Sequence, residues 1–135
     1  MNNFDQEIMA RTAMGEARGL GEDGMVAVMW TIVNRFTAKK WFSGLTLAGT
    51  ALKRLQFSCW NSADPNYQYL ADLTSTIGLF ATALQWAENV ISGMIPDPTL
   101  GATHYFDSSI SAPAWTHGAT QTVMIGSLTF YKDVA

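Results

Sequence analysis

The chain has 135 residues, 48% hydrophobic and 14% charged, which fits one compact domain over residues 1–135 and excludes a disordered chain. No apolar run approaches the roughly 18 residues of a membrane span, so no stable membrane insertion is expected, and the lone Cys59 allows no internal disulfide. Net charge is -3, with seven Lys/Arg against five Asp/Glu through residue 54 and one against six after it; a basic face of the kind nucleic acid requires is missing, so nucleic acid is excluded as a partner.

The N-terminal stretch carries Asp5 and Glu7 where a secretory leader would have a basic start and an apolar run, so no export signal is read there. Phe4, Ile8, Met9 and Thr12 recur at helical spacing and predict a helix over 4–17, capped by Asn3 and ended by Gly19 or Gly21. A second helix is expected from about Asp23. Its apolar residues Met25, Val26, Val28, Met29, Ile32, Val33 and Phe36 surround the axis, which predicts the buried central helix, with Lys39 and Lys40 at its solvated exit. Thr46 is the expected cap of a short helix over 47–54. After the break at Q-F-S-C-W-N, the Asp64-Pro65-Asn66 turn leads into a short helix over 67–73. Thr76 caps a longer helix that holds its period from Ile77 to Ile91 and ends at Gly93, with Pro96 and Pro98 blocking its continuation. Two strand-like segments follow, near His104 and near Phe130, separated by residues rich in Ser, Pro, Gly and Thr. The fold class is therefore mainly α (α+β), with a short β-hairpin or loop-rich C-terminal part.

Three constellations carry chemistry. Glu16 stands in G-E-A-R-G, where the first helix runs out into glycines. A carboxyl held there in a partly dry cleft would favour its protonated form and serve as a general acid; a solvated Glu paired with Arg11 or Arg18 is the other reading of the same residues. Gln56, Phe57, Ser58 and Trp60, with the aromatic run Tyr67, Tyr69, His104, Tyr105, Phe106 and Trp115, offer the rings and polar tips of a sugar or peptide groove, and equally the rings of a core. Cys59 with His104 or His117 forms the third, a thiol-imidazole pair of an amidase or peptidase; the same residues lack the close spacing of a zinc site. Asn34 and Arg35 are expected to end the buried helix and hydrogen-bond the loop carrying Glu16. No metal or cofactor is called for.

Taken together, R-T-A-M-G-E-A-R-G (11–19), G-M-V-A-V-M-W-T-I-V-N-R (24–35), Q-F-S-C-W (56–60), G-A-T-H-Y (101–105), P-A-W (113–115) and I-G-S-L-T-F-Y (125–131) resemble the SleB-like cell-wall hydrolases, the spore cortex-lytic enzymes and related phage endolysins. The blocks appear in family order over nearly the whole chain. The resemblance implies a lysozyme-like single domain and cleavage of the bond between N-acetylmuramic acid and N-acetylglucosamine, with the peptidoglycan glycan strand as partner. It implies Glu16 as the catalytic acid and Gln56, Phe57, Ser58, Trp60, His104, Tyr105 and Tyr131 as the residues facing substrate. Two positions depart from the family pattern: Leu20 replaces the last Glu of E-A-R-G-E, and Leu128 replaces the His of I-G-x-H-x-F-Y. Neither missing group is essential if the protein is active.

Loss of a carboxylate at Leu20 bears on mechanism. A glycosidase that uses water needs two carboxyl groups, whereas a lytic transglycosylase needs one. Glu22, Asp23, Asp64 and Asp107 are the only candidates for a second, so the transglycosylase reaction is expected, with a muramidase and a Cys59-dependent amidase or peptidase as alternatives. A monomer is expected, acting at the bacterial cell wall and released from the host cytoplasm at lysis as an endolysin.

Overall fold

In the computed structural model residues 3–53, 56–73 and 78–135 are described, and they form five α-helices and one three-stranded sheet. Helix α1 (Asn3–Ala17) buries Ile8, Met9, Ala10, Ala13, Met14 and Ala17 on one stripe. It continues through a 3-10 turn, Arg18–Leu20, into α2 (Gly21–Ala38), and Gly21 makes the corner with a φ of 69° that favours glycine. Helix α2 therefore begins slightly before the expected Asp23, and it ends where Lys39 turns left-handed. Thr46 caps α3 (Leu47–Leu52), its side chain accepting from the Gly49 N–H at 2.9 Å. Helix α4 (Asn66–Ala71) follows the Asp64 turn, and α5 (Gly78–Ile91) matches the long helix read from the sequence; its expected cap, Thr76, lies outside the described residues, as do Ile77 and the end of the 47–54 helix at Arg54.

The expectation that α2 is the central helix needs correction. Helix α2 is deeply buried, but α1 packs against α2, α3, α4 and α5 and is the hub. The reason is size: Ala10, Ala13, Gly15 and Ala17 present so little side chain that four neighbours approach its axis. At Gly15 a Cβ would stand 2.7 Å from the Cys59 Cβ and 2.9 Å from a Leu70 methyl, so only glycine admits both.

The C-terminal part is a sheet rather than a simple hairpin. Strands β1 (His104–Asp107), β2 (Thr120–Ile125) and β3 (Leu128–Lys132) run antiparallel in the order β1-β3-β2. Strand β2 is absent from the sequence reading because Thr120–Ile125 lies mostly exposed and half-exposed, and lacks the apolar alternation that marks a strand with one buried face. Pairing of His104 with Tyr131 and of Tyr105 with Phe130 fixes which side chains share a face. Tyr105 and Phe130, 5.3 Å apart, turn toward the helices; His104 and Tyr131 turn away. Leu128 is buried in β3, and Leu20 covers the β2–β3 turn, where a Cβ on Gly126 would lie 2.9 Å from its methyl. Both departures from the family pattern thus put apolar groups into apolar packing. Among the described residues, no helix is long and apolar enough to cross a membrane.

Candidate active site

Glu16 is the next-to-last residue of α1, whose final turn holds no basic residue. A carboxylate there faces the negative end of the helix dipole and is disfavoured by about 0.3–1 kcal/mol. Local stability does not explain its presence. Neither arginine expected as a surface partner touches it: Arg11 pairs with Glu7 at 2.8 Å and donates to the carbonyls of Leu70 and Leu73, and Arg18 donates to Asn66 Oδ1 and lies over the Tyr69 ring.

Three donors from two distant segments converge on the carboxyl instead. The Tyr105 hydroxyl of β1 donates to Oε1 at 2.5 Å, and the Ser58 hydroxyl and Cys59 N–H reach Oε2 at 3.4 and 3.3 Å. Burial, followed by the charge of Glu16, pushes the Tyr105 phenol well above its ordinary value, so it remains a donor at every physiological pH. The close approach of Cys59 follows from Gly15, the residue before Glu16. The turn Ser58–Trp60 is tied down by the Trp60 indole N–H, which donates to Thr12 Oγ1 at 2.8 Å one turn earlier on α1.

Two hollows are lined by residues that are, or stand next in sequence to, the donors to Glu16; Glu16 itself lines neither. One, of about 550 Å³, is lined by Trp60, Tyr67, Asn61 and Lys53 among others; Trp60 closes the 3-10 turn whose Ser58 and Cys59 are the donors to Oε2. The second, of about 200 Å³, is lined by Arg35, Trp41, Gln56, His104, Tyr105 and Trp115, and so includes the donor to Oε1. Rings beside amides and charged tips suit carbohydrate, whose apolar faces cover aromatics while its hydroxyls need partners.

The remaining residues named from the sequence fall into two groups. Gln56, Trp60 and Ser58 border the hollows or the carboxyl, as does Tyr105. Phe57 is fully buried, with the Arg35 guanidinium 4.4 Å above its ring, so it supports the floor instead of facing a ligand. His104 is only 6% exposed; it sits between Phe42 and Trp115, and its Nδ1 pairs with Thr103 Oγ1 at 2.8 Å. Burial, with the charges of Arg35 and Lys40, pushes its imidazole down to about 3, so it is neutral at physiological pH. Tyr131 stacks on Phe106 and meets Trp115 edge-on, on the sheet face opposite Tyr105.

Cys59 is wholly buried, and burial together with the Glu16 charge pushes its thiol far up, which removes the thiolate that a nucleophile requires. Its Sγ points to the Thr12 carbonyl at 4.0 Å rather than to an imidazole. Asn34 and Arg35 also differ from expectation: neither bonds the Glu16 loop. Asn34 holds Asp97 and the Ala102 carbonyl, and Arg35 donates to the Thr103 carbonyl at 2.5 Å and to Gln56 Oε1 at 3.3 Å. Both pin the segment leading into β1, and Arg35 also lines the smaller hollow, a place its apolar neighbours in sequence conceal. Trp41, paired in sequence with Phe42 after the exit of α2 and 60% exposed, also lines the smaller hollow.

Comparison with known proteins agrees with the fold. The catalytic domain of the germination-specific lytic transglycosylase SleB from Bacillus anthracis is 27% identical, covers 98% of this chain and 97% of its own, and superposes with a TM-score of 0.74. The catalytic domain of the Bacillus cereus SleB protein is 26% identical over 98% of this chain and 92% of its own, with a TM-score of 0.75. A search among curated proteins gave no match. The model of the family described as Cell Wall Hydrolase matches residues 19–131, and this chain belongs to the cell wall hydrolase family.

Proposed function

We propose that the chain is a lytic transglycosylase that cleaves the N-acetylmuramic acid to N-acetylglucosamine bond of peptidoglycan, with Glu16 as its single acid and base. The observation that carries this reading is the convergence of Tyr105, Ser58 and Cys59 on one carboxyl, with Tyr105 also lining an aromatic-walled hollow. The similarity to SleB catalytic domains supports it.

In the first step protonated Glu16 donates to the glycosidic oxygen, the bond from that oxygen to the muramic C1 breaks, and the N-acetylglucosamine side leaves with the proton. Positive charge spreads over C1 and the ring oxygen, and the carboxylate just formed faces it. In the second step the carboxylate takes the proton from the muramic 6-hydroxyl while that oxygen bonds to C1. A 1,6-anhydro ring closes, water is not consumed, and Glu16 is protonated again. Tyr105 holds Oε1 throughout and leaves Oε2, with its two longer contacts, as the oxygen free to exchange the proton.

The other carboxylates support one-acid chemistry. Glu22 and Asp23 are exposed in the first turn of α2, and Asp107 accepts from the Ser109 N–H in its own turn and from the Ser127 hydroxyl in the β2–β3 turn. Asp64 accepts from the Asn66 N–H, yet its charge reaches the Cys59 thiol; it is the group that a water-using muramidase would employ. Digestion of purified peptidoglycan tests the reading. Wild type should release soluble glycan fragments, Glu16→Gln should release none, and release of free peptides with intact glycan would overturn it in favour of an amidase.

A further inference from the structure

Arg35 is 4% exposed, and among the described residues no carboxylate pairs with it. Its Nε donates to the Thr103 carbonyl and its Nη1 to Gln56, whereas Nη2 has no hydrogen-bond partner among the described residues. No buried side-chain nitrogen among the described residues lacks a partner, so Nη2 is open to solvent, and the opening available to this residue is the hollow of about 200 Å³ that it lines. Even with burial lowering its value to about 10, the guanidinium is charged at neutral pH. The Glu16 charge acts on it from a distance, but a buried charge without an ion pair at contact is costly unless something completes it, and a guanidinium is shaped to donate to a carboxylate.

We propose that this hollow is an anion subsite that takes the free lactyl carboxylate of a muramic acid residue carrying no stem peptide. The inference rests on the glycan-strand reading of Glu16 and deepens it. The hollow is below the roughly 300–1,000 Å³ usual for a whole small molecule, so it suits a short substituent rather than a peptide. Its Trp41 and Trp115 walls suit the lactyl methyl, and His104, being neutral, adds no competing charge. Tyr105 belongs to both this hollow and the Glu16 carboxyl, which places the anion one side chain from the reacting centre. In linked peptidoglycan the lactyl carboxyl is bound in an amide, so the class of reaction that supplies the preferred substrate is hydrolysis of that amide.

Binding to Glu16→Gln, which retains the groove without turnover, tests the subsite. Glycan strands stripped of stem peptides are compared with the same strands after their lactyl carboxylates are capped as methylamides. The free strands should bind about tenfold more tightly, as a charge-assisted hydrogen bond supplies. Adding Gln56→Glu sets a carboxylate against Nη1 and should bring the ratio toward one, and because each ratio is internal to one protein, general damage does not imitate it. Equal binding of free and capped strands would overturn the subsite and indicate a neutral group, such as an acetamide, in the hollow. Preferential binding without cleavage by the wild type would leave the subsite standing and overturn the proposed reaction instead.

Discussion

At Tyr105 a single hydroxyl links the sheet to the carboxyl of Glu16. Tyr105→Phe removes that donor while keeping the ring against Phe130, so kcat/KM on peptidoglycan should fall about tenfold with little change in thermal stability. Cys59 acts through its main-chain N–H, which any residue supplies. Cys59→Ala should therefore retain most activity and lose about 1 kcal/mol of stability in urea unfolding from the small cavity it leaves; loss of activity in a folded Cys59→Ala protein would restore the thiol reading. His104 makes stability pH-dependent. Its folded value of about 3 lies below the ordinary 6.5, so the folded chain binds fewer protons than the unfolded one, and the contribution is complete above about pH 6.5 and is lost progressively as pH falls toward 3. Unfolding midpoints measured across that range should decline, and the decline should flatten in His104→Gln.

Among the elements, α1 carries both the hub of the core and the proposed acid, and Gly15 joins those two roles. Gly15→Ala would drive a methyl into Cys59 and Leu70, costing about 1–3 kcal/mol by overpacking and displacing an N–H from Glu16. Thermal denaturation and a lysis assay on the same preparation should show both losses. The helices were legible because their signals are local: the period of α1 and α5, the Thr46 cap and the Gly21 corner all lie within a turn or two of the residues they govern. Strand β2 was not, because its residues acquire a strand's character only by pairing with β3. Glu16 was legible as a candidate from its motif, but its partners Tyr105 and Ser58 lie 89 and 42 residues away, and which face Tyr105 takes is set by the register of β1 on β3. Arg35 reads as a helix residue among apolar neighbours, and its opening into the hollow exists only in the folded chain.

The whole molecule places a helical layer against a small sheet, with Glu16 at the end of the central helix where the two meet. The convergence of Tyr105, Ser58 and Cys59 on the single carboxyl of Glu16 makes one-acid chemistry the central claim. Mass spectrometry of the soluble products from purified peptidoglycan tests that claim most directly, with Glu16→Gln as control. The account predicts muropeptides ending in 1,6-anhydromuramic acid that vanish in the control. Products with reducing muramic ends would contradict it and assign the second carboxyl role to Asp64.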